Sequence, residues 1–254
     1  MTVADPTKRF SDRVENYIKY RPSYPAEVLD YLAGQCDLAN GSTIADVGSG
    51  TGIFSALLLA RGYKVFAVEP NESMQGAAIS QFGGNDNFIP VASTAETTSL
   101  PSDSIDLVVC AQAFHWFDAE KTKTEFKRIL KDQGQVALIW NNRDAGTDEF
   151  SAAYENLLKQ DSVDYNNVNH RNISDMNFKA FFKGGLYEAE KYPNVQVFDE
   201  EGLLGRAFSS SYVPAEDTYE GKKFKDLLKA LFAKYNKDGK VRFYYQTEVY
   251  LGKV

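Results

Sequence analysis

Gly48, Gly50 and Gly52 fall within five residues of one another, between two apolar runs, and they limit the fold of this chain more than any other feature. Thr43-Ile44-Ala45 precede them and Ile53 to Leu59 follow. That order predicts a strand, a tight loop and a helix. With three Cβ atoms missing, the backbone can turn sharply and approach a ligand closely. The next apolar run, Lys64 to Val68, ends in Glu69, with Pro70 behind it. A carboxylate at the tip of a second strand is placed to accept hydrogen bonds from both hydroxyls of a ribose.

The spacing of the glycines narrows the ligand. A dinucleotide fingerprint is G-x-G-x-x-G, with pyrophosphate on the helix N-terminus. Here the pattern is G-x-G-x-G, and Ile53 stands where the third dinucleotide glycine would be. Asp46 puts negative charge just before the loop, which repels a pyrophosphate and attracts a cation. Both features suit S-adenosylmethionine, which carries an ammonium and a sulfonium. The competing reading is a tight strand-to-helix turn that holds no ligand.

These residues carry a resemblance. ADVGSGTG at 45–52, Val68-Glu69-Pro70, Ala95-Glu96 and the run from Asp106 to Phe117 resemble the class I S-adenosylmethionine-dependent methyltransferases. Tyr20 to Pro25, Trp140-Asn141-Asn142-Arg143 and Ser209 to Pro214 resemble their small-molecule branch, which includes trans-aconitate methyltransferase-like proteins. The resemblance implies an α/β fold, a doubly wound and mostly parallel seven-stranded sheet, with an antiparallel final strand. It implies lid helices over residues 1–36, which makes Arg21 a candidate for the methionine carboxylate and Tyr17 for the roof of the site. The plainer reading of Arg21 is a partner for any surface acid. In relatives, the loop at 92–101 edges the adenine, so Thr94, Ala95 and Glu96 join the cofactor set. Many relatives carry Gly-Asp before Ala-Glu. Ser93 and Thr94 stand there instead, so Glu96 is read as a loop anchor that accepts backbone N–H groups.

Along the chain, helices are expected over 10–20, with Ser11 and Asp12 at the start, and over 25–36, 71–80 and 118–131. Strands are expected at 87–91, 106–110 and 135–140. The near-continuous apolar run 106–110 fits a strand buried on both faces of a parallel sheet. Met74 either packs on adenine or fills the core of its helix. Ser49 and Ala111, at the carboxyl ends of strands, complete the cofactor set. His115 lies among aromatic residues at the same edge. It is either a packed, satisfied histidine or a substrate-orienting donor or general base. Trp116, Trp140, Asn141 and Arg143 are candidates for the acceptor pocket, with Tyr17 and Arg21. Arginine there would favour an anionic acceptor.

Residues 144–183 exceed a simple connection and are expected to form a helical substrate cover, with helices at 147–159 and 175–182. His170 sits in its most polar stretch and is expected to be solvated. Short strands at 187–191 and 195–198 flank Pro193, helices cover 200–208 and 216–235, and 241–251 closes the sheet. One domain over 1–254 is expected, with 43% hydrophobic residues to fill its core.

A net charge of −7 argues against nucleic acid as the main partner. Cys36 and Cys110 fit no metal spacing, and no metal site stands out. No apolar run reaches the length of a membrane span. The expectation is a cytoplasmic monomer or homodimer that methylates a small molecule and leaves S-adenosylhomocysteine. The rival readings are a non-catalytic S-adenosylmethionine sensor and a nicotinamide-dependent oxidoreductase.

Overall fold

The computed structural model describes residues 14–163, 165 and 174–254. The start of the first expected helix, with Phe10, Ser11 and Asp12, lies outside them, as does His170. Seven strands form one sheet: β1 (Thr43–Val47), β2 (Lys64–Val68), β3 (Phe88–Val91), β4 (Ile105–Ala111), β5 (Leu130–Arg143), β6 (Glu188–Phe198) and β7 (Val241–Gly252). Their order is β3-β2-β1-β4-β5-β7-β6. The first five run parallel, and β7 is antiparallel to both β5 and β6. The strand order reverses between β1 and β4, and a crevice opens at such a switch point outside the carboxyl ends of the strands.

Nine helices are described: α1 (Val14–Tyr20), α2 (Ala26–Gln35), α3 (Ile53–Ala60), α4 (Glu72–Phe82), α5 (Ala119–Ile129), α6 (Glu149–Asp161), α7 (Asp175–Phe181), α8 (Glu200–Phe208) and α9 (Tyr219–Tyr235). Caps fix several starts. Asn71, Asp118, Asp148, Asp199 and Thr218 each accept a backbone N–H from the first turn of α4, α5, α6, α8 and α9. The Thr218 cap is why α9 starts at Tyr219 rather than at Glu216.

Side chains alternate across the strands and build two layers. On one face Val47, Val108, Leu138 and Trp140 meet Phe126 of α5 and Phe178 and Phe181 of α7. On the other, Ile44, Val65, Val109 and Ile139 meet α2 and α3. Each fully buried side chain of this kind contributes about 1.5–3 kcal/mol. A further core joins α6, α8 and α9 to the start of β7 through Tyr154, Leu203, Phe224 and Phe243. No described helix is long and apolar enough to cross a membrane.

The structure corrects two expectations. The stretch over 187–198 is one strand, not two, because β6 is the sheet edge, where a proline without an N–H is tolerated. The last strand does not close the sheet but sits inside it, between β5 and β6. Within 144–183, Phe178 and Tyr154 are buried, at 6% and 0% exposed, and no described residue lining the cavity below comes from α6 or α7.

Candidate functional site

The glycine loop follows β1 and folds back on β2. The N–H groups of Gly48 and Ser49 both donate to Val68 O, at 2.8 and 3.1 Å. The N–H of Gly50 donates to Glu69 Oε2 at 2.9 Å, and that of Gly52 to Ser49 O at 2.9 Å. These loop amides are therefore engaged within the protein and are not free to cradle a pyrophosphate. All three glycines have positive φ, from 57° to 83°, a conformation that other residues rarely adopt.

Glu69 is clamped from both sides. Its Oε1 accepts the N–H of Asn71 at 2.8 Å while Oε2 holds Gly50. The carboxylate is 9% exposed and faces a cavity of about 220 Å³. Burial raises its pKa, against the pull of the Asn71 and Gly50 amides. Each carboxylate oxygen has lone-pair capacity beyond one amide, so two acceptor positions remain.

The cavity lies at the switch point. Gly48 and Gly50 line it after β1, Glu69, Pro70 and Met74 after β2, and Thr94, Ala95 and Glu96 after β3. Ala111, at the end of β4, and Trp116 beyond it line the cavity, as does Tyr17 of α1. Both readings of Met74 meet here: it is 3% exposed inside α4 and also part of the cavity wall. Glu96 Oε1 accepts the N–H of Asp118 at 2.9 Å and so ties the β3 loop to the start of α5.

Asp46 sits behind the loop, 1% exposed. Its Oδ2 accepts the hydroxyl of Ser55 at 2.6 Å, but its buried Oδ1 has no hydrogen-bond partner. Burial, with help from the charge of Glu69, pushes its pKa up to about 7. A buried carboxylate oxygen without a donor, beside the glycine loop, fits a ligand that brings a cation.

Other expected site residues are placed elsewhere. Gly52 does not face the cavity: a Cβ there would meet the Phe82 ring at 2.7 Å, so this glycine lets α3 pack on α4. Trp140 is 2% exposed, wedged against Phe178 and Tyr250, and its Nε1 donates to His115 Nδ1 at 3.5 Å. Asn141 is occupied. Its Nδ2 donates to Ser23 O, and its Oδ1 accepts from Asn194 Nδ2 and Thr247 Oγ1, because β7 lies beside β5 and β6 next beyond it. Arg143 points into the α6–α8–α9 core and pairs with Glu155 at 2.6 Å. Arg21 stacks on Tyr17, with 4.8 Å from Cζ to the ring centre, and its Nη2 donates to Ser209 O at 2.9 Å.

The sequence reading missed Asn71, Gln112, Ala113 and Phe117, which also line the cavity. Gln112 has φ of 60°, a rare conformation for this residue type, and it turns the end of β4 into the cavity wall. Its place at a strand end was a visible signal; its backbone conformation was not.

The two lining glycines differ in a testable way. A Cβ on Gly48 would lie 2.5 Å from Ala113 Cβ and 3.1 Å from Phe117, so Gly48→Ala is expected to lower stability by about 1–3 kcal/mol. A Cβ on Gly50 meets no protein atom within 4 Å. Gly50→Ala carries only the strain of a φ of 57°, about 1–2 kcal/mol, so it is expected to unfold a few degrees below wild type but to lose most affinity for a ligand in this cavity. Thermal unfolding with and without ligand checks both.

Residues 45–138 match the profile of a family described as methyltransferase domain. Among curated relatives, an uncharacterised methyltransferase-like protein of Schizosaccharomyces pombe is 35% identical over 138 residues, covering 54% of this chain and 53% of that protein. An uncharacterised methyltransferase of Mycobacterium tuberculosis is 36% identical over 143 residues, 55% of each chain. The chain thus spans about half the length of these relatives. A candidate type II methyltransferase from Anaeromyxobacter dehalogenans has a similar structure, with a TM-score of 0.70 at 23% identity, over 92% of this chain and 98% of that one. A candidate methyltransferase from an antibiotic biosynthesis pathway of Anabaena variabilis follows at 0.64 and 21%, over 93% and 99%.

Proposed function

We propose that this chain, a class I S-adenosylmethionine-dependent methyltransferase by its domain and fold, moves the methyl group of that cofactor onto a small anionic acceptor. The observation that carries the cofactor is the double clamp on Glu69, which aims a carboxylate at a cavity whose glycine-loop amides are already engaged. That arrangement supports a ribose without a pyrophosphate and disfavours a nicotinamide cofactor. When bound, S-adenosylmethionine supplies an electrophilic methyl on a sulfonium, with a neutral thioether as leaving group. Glu69 would hold the ribose, and Asp46 the ammonium end, directly or through water.

The protein's remaining task is alignment of acceptor and methyl. A carboxylate acceptor is ionised at neutral pH and requires no base. His115, whose Nδ1 accepts from Trp140 Nε1 at 3.5 Å, would then orient the acceptor rather than serve as a base. The small-molecule branch is supported by the meeting of its three outer motifs. Arg21 reaches Ser209, and Asn141 reaches Ser23, so segments 20–25, 140–143 and 209–214 adjoin one another beside Tyr17.

Thermal unfolding with S-adenosylmethionine, S-adenosylhomocysteine and NAD tests the cofactor. Either adenosyl ligand at about a hundred times its dissociation constant should add about 2.7 kcal/mol of stability, and NAD none. Labelled methyl transfer to a panel of carboxylic acids, amines and phenols then tests the acceptor. Transfer to uncharged acceptors alone would overturn the anionic reading.

A further inference from the structure

Gln112 is the first residue beyond β4, and it lines the cavity. Its φ of 60° lies in the left-handed region, which glycine enters freely and a residue with a Cβ enters at a cost. Strain of this kind beside a cavity points to a function of the side chain held there. Two bonds fix the residue. Its N–H donates to Ile139 O at 2.8 Å, and its Nε2 donates to Asn141 O at 3.4 Å. Asn141 is itself tied to Ser23, Asn194 and Thr247, so the anchor is held in place. A carbonyl oxygen accepts only from a donor, so this contact assigns the nitrogen end of the Gln112 amide. The oxygen end, Oε1, has no hydrogen-bond partner among the described residues.

The sheet sets where that oxygen stands relative to the cofactor. β1 pairs with β2 on one side and with β4 on the other. Adjacent strands are about 4.8 Å apart, so the strand tips that carry Glu69 and Gln112 stand about 10 Å apart across the glycine loop. A ribose held by Glu69 puts the sulfur, two bonds from its ring, over that loop. The amino-acid arm leads toward Asp46, behind the loop. The methyl, the third substituent on sulfur, is left for the β4 side. There Ala111 and Ala113 offer no polar side-chain atom, and Trp116 offers only an N–H donor. Gln112 brings an acceptor.

We propose that Gln112 Oε1 reads the sulfonium: it accepts the polarised C–H groups of the transferable methyl, fixes the direction of that methyl and favours the charged cofactor over the neutral thioether. The inference rests on the cofactor reading above and adds Gln112 to the residues that bind it. The residue type suits the task. A carboxamide oxygen carries partial negative charge but is a far weaker nucleophile than a carboxylate, so it can face an electrophilic methyl without taking it. No bond is made or broken at Gln112; its part is binding and orientation.

Three adenosyl ligands separate this role from general support of the cavity. S-adenosylmethionine and S-adenosylhomocysteine share ribose, adenine and the amino-acid arm, and differ in the methyl and its charge. Sinefungin carries an ammonium on carbon in place of the methylated sulfur, and so puts N–H donors at the methyl position. Titration calorimetry on wild type, Gln112→Met and Gln112→Gly reads the affinities. Gln112→Met, which keeps the length without the amide, should weaken sinefungin about tenfold or more and S-adenosylmethionine about two- to fivefold, and leave S-adenosylhomocysteine within about twofold. Gln112→Gly should lose the same discrimination and yet unfold at or a few degrees above wild type, because the strain of the left-handed φ is relieved. Equal weakening of all three ligands in Gln112→Met, or no change in any, overturns the proposal and leaves the cofactor assigned. A Gln112→Gly protein that unfolds well below wild type overturns it too, since the carboxamide would then be a structural tie between β4 and β5. If wild type binds none of the three ligands, the cofactor reading falls and this proposal with it.

Discussion

Glu69→Gln is expected to weaken S-adenosylmethionine binding by about a hundredfold or more, the largest loss from any single conservative change in this chain. Two effects combine. The carboxylate would accept two ribose hydroxyls, and hydrogen bonds to a charged group are each worth about 1.5–3 kcal/mol. Glutamine keeps the shape, but one of its two polar ends is a donor. That end must face either the N–H of Asn71 or the N–H of Gly50, which Glu69 now accepts at 2.8 and 2.9 Å. Donor against donor leaves a buried N–H unpaired, at a cost of about 1–3 kcal/mol. The apo protein should therefore also lose stability, and the glycine loop should lose its tie to β2. Titration calorimetry measures the first effect and thermal unfolding of the unliganded protein the second. An affinity within a few-fold of wild type would mean that the ribose is held elsewhere. In that case the cavity serves another ligand.

Glu69 was readable in the sequence because its role follows from local order: a strand end directly after a glycine loop. The same holds for Gly48, Gly50, Ala95 and Ala111, each fixed by its distance from an apolar run. The surroundings of Asn141 and Trp140 were not readable, for the opposite reason. What a side chain meets at the end of β5 depends on which strand lies beside it, and β7, a hundred residues further along the chain, pairs with β5 there. Thr247 on β7 takes the Asn141 oxygen, and Tyr250 takes the face of Trp140. Likewise, Gly205 gives no local hint that a Cβ there would strike the Tyr20 ring at 2.0 Å, the contact that seats the chain just before Arg21.

Asp46→Asn is expected to make the unliganded protein more stable above neutral pH while it weakens the cofactor. The sign follows from where the proton sits. An unfolded aspartate loses its proton near 3.8, whereas buried Asp46 keeps it to about 7. Between those values the folded state holds one more proton than the unfolded state, so stability falls as pH rises through the window. The full cost is roughly 4 kcal/mol, reached above about pH 7. Two features sustain it: an Oδ1 with no donor, and the neighbouring charge of Glu69. Asparagine does not titrate, so the variant should escape that loss and gain on wild type progressively from about pH 4 to pH 7. Glu69 titrates in both proteins, but its coupling to Asp46 is lost in the variant and belongs to the difference. An ammonium brought beside the carboxylate reverses the balance, because it favours the charged form. Wild type should then bind S-adenosylmethionine more tightly at about pH 8 than at about pH 6, with a proton released at the lower pH. Asp46→Asn should bind weakly at both and show no such slope. Chemical denaturation across pH, paired with calorimetry in two buffers, reads both curves. If wild type and variant lose stability in parallel from acid to neutral pH, Asp46 ionises as freely as an exposed aspartate, and it does not wait for a cation.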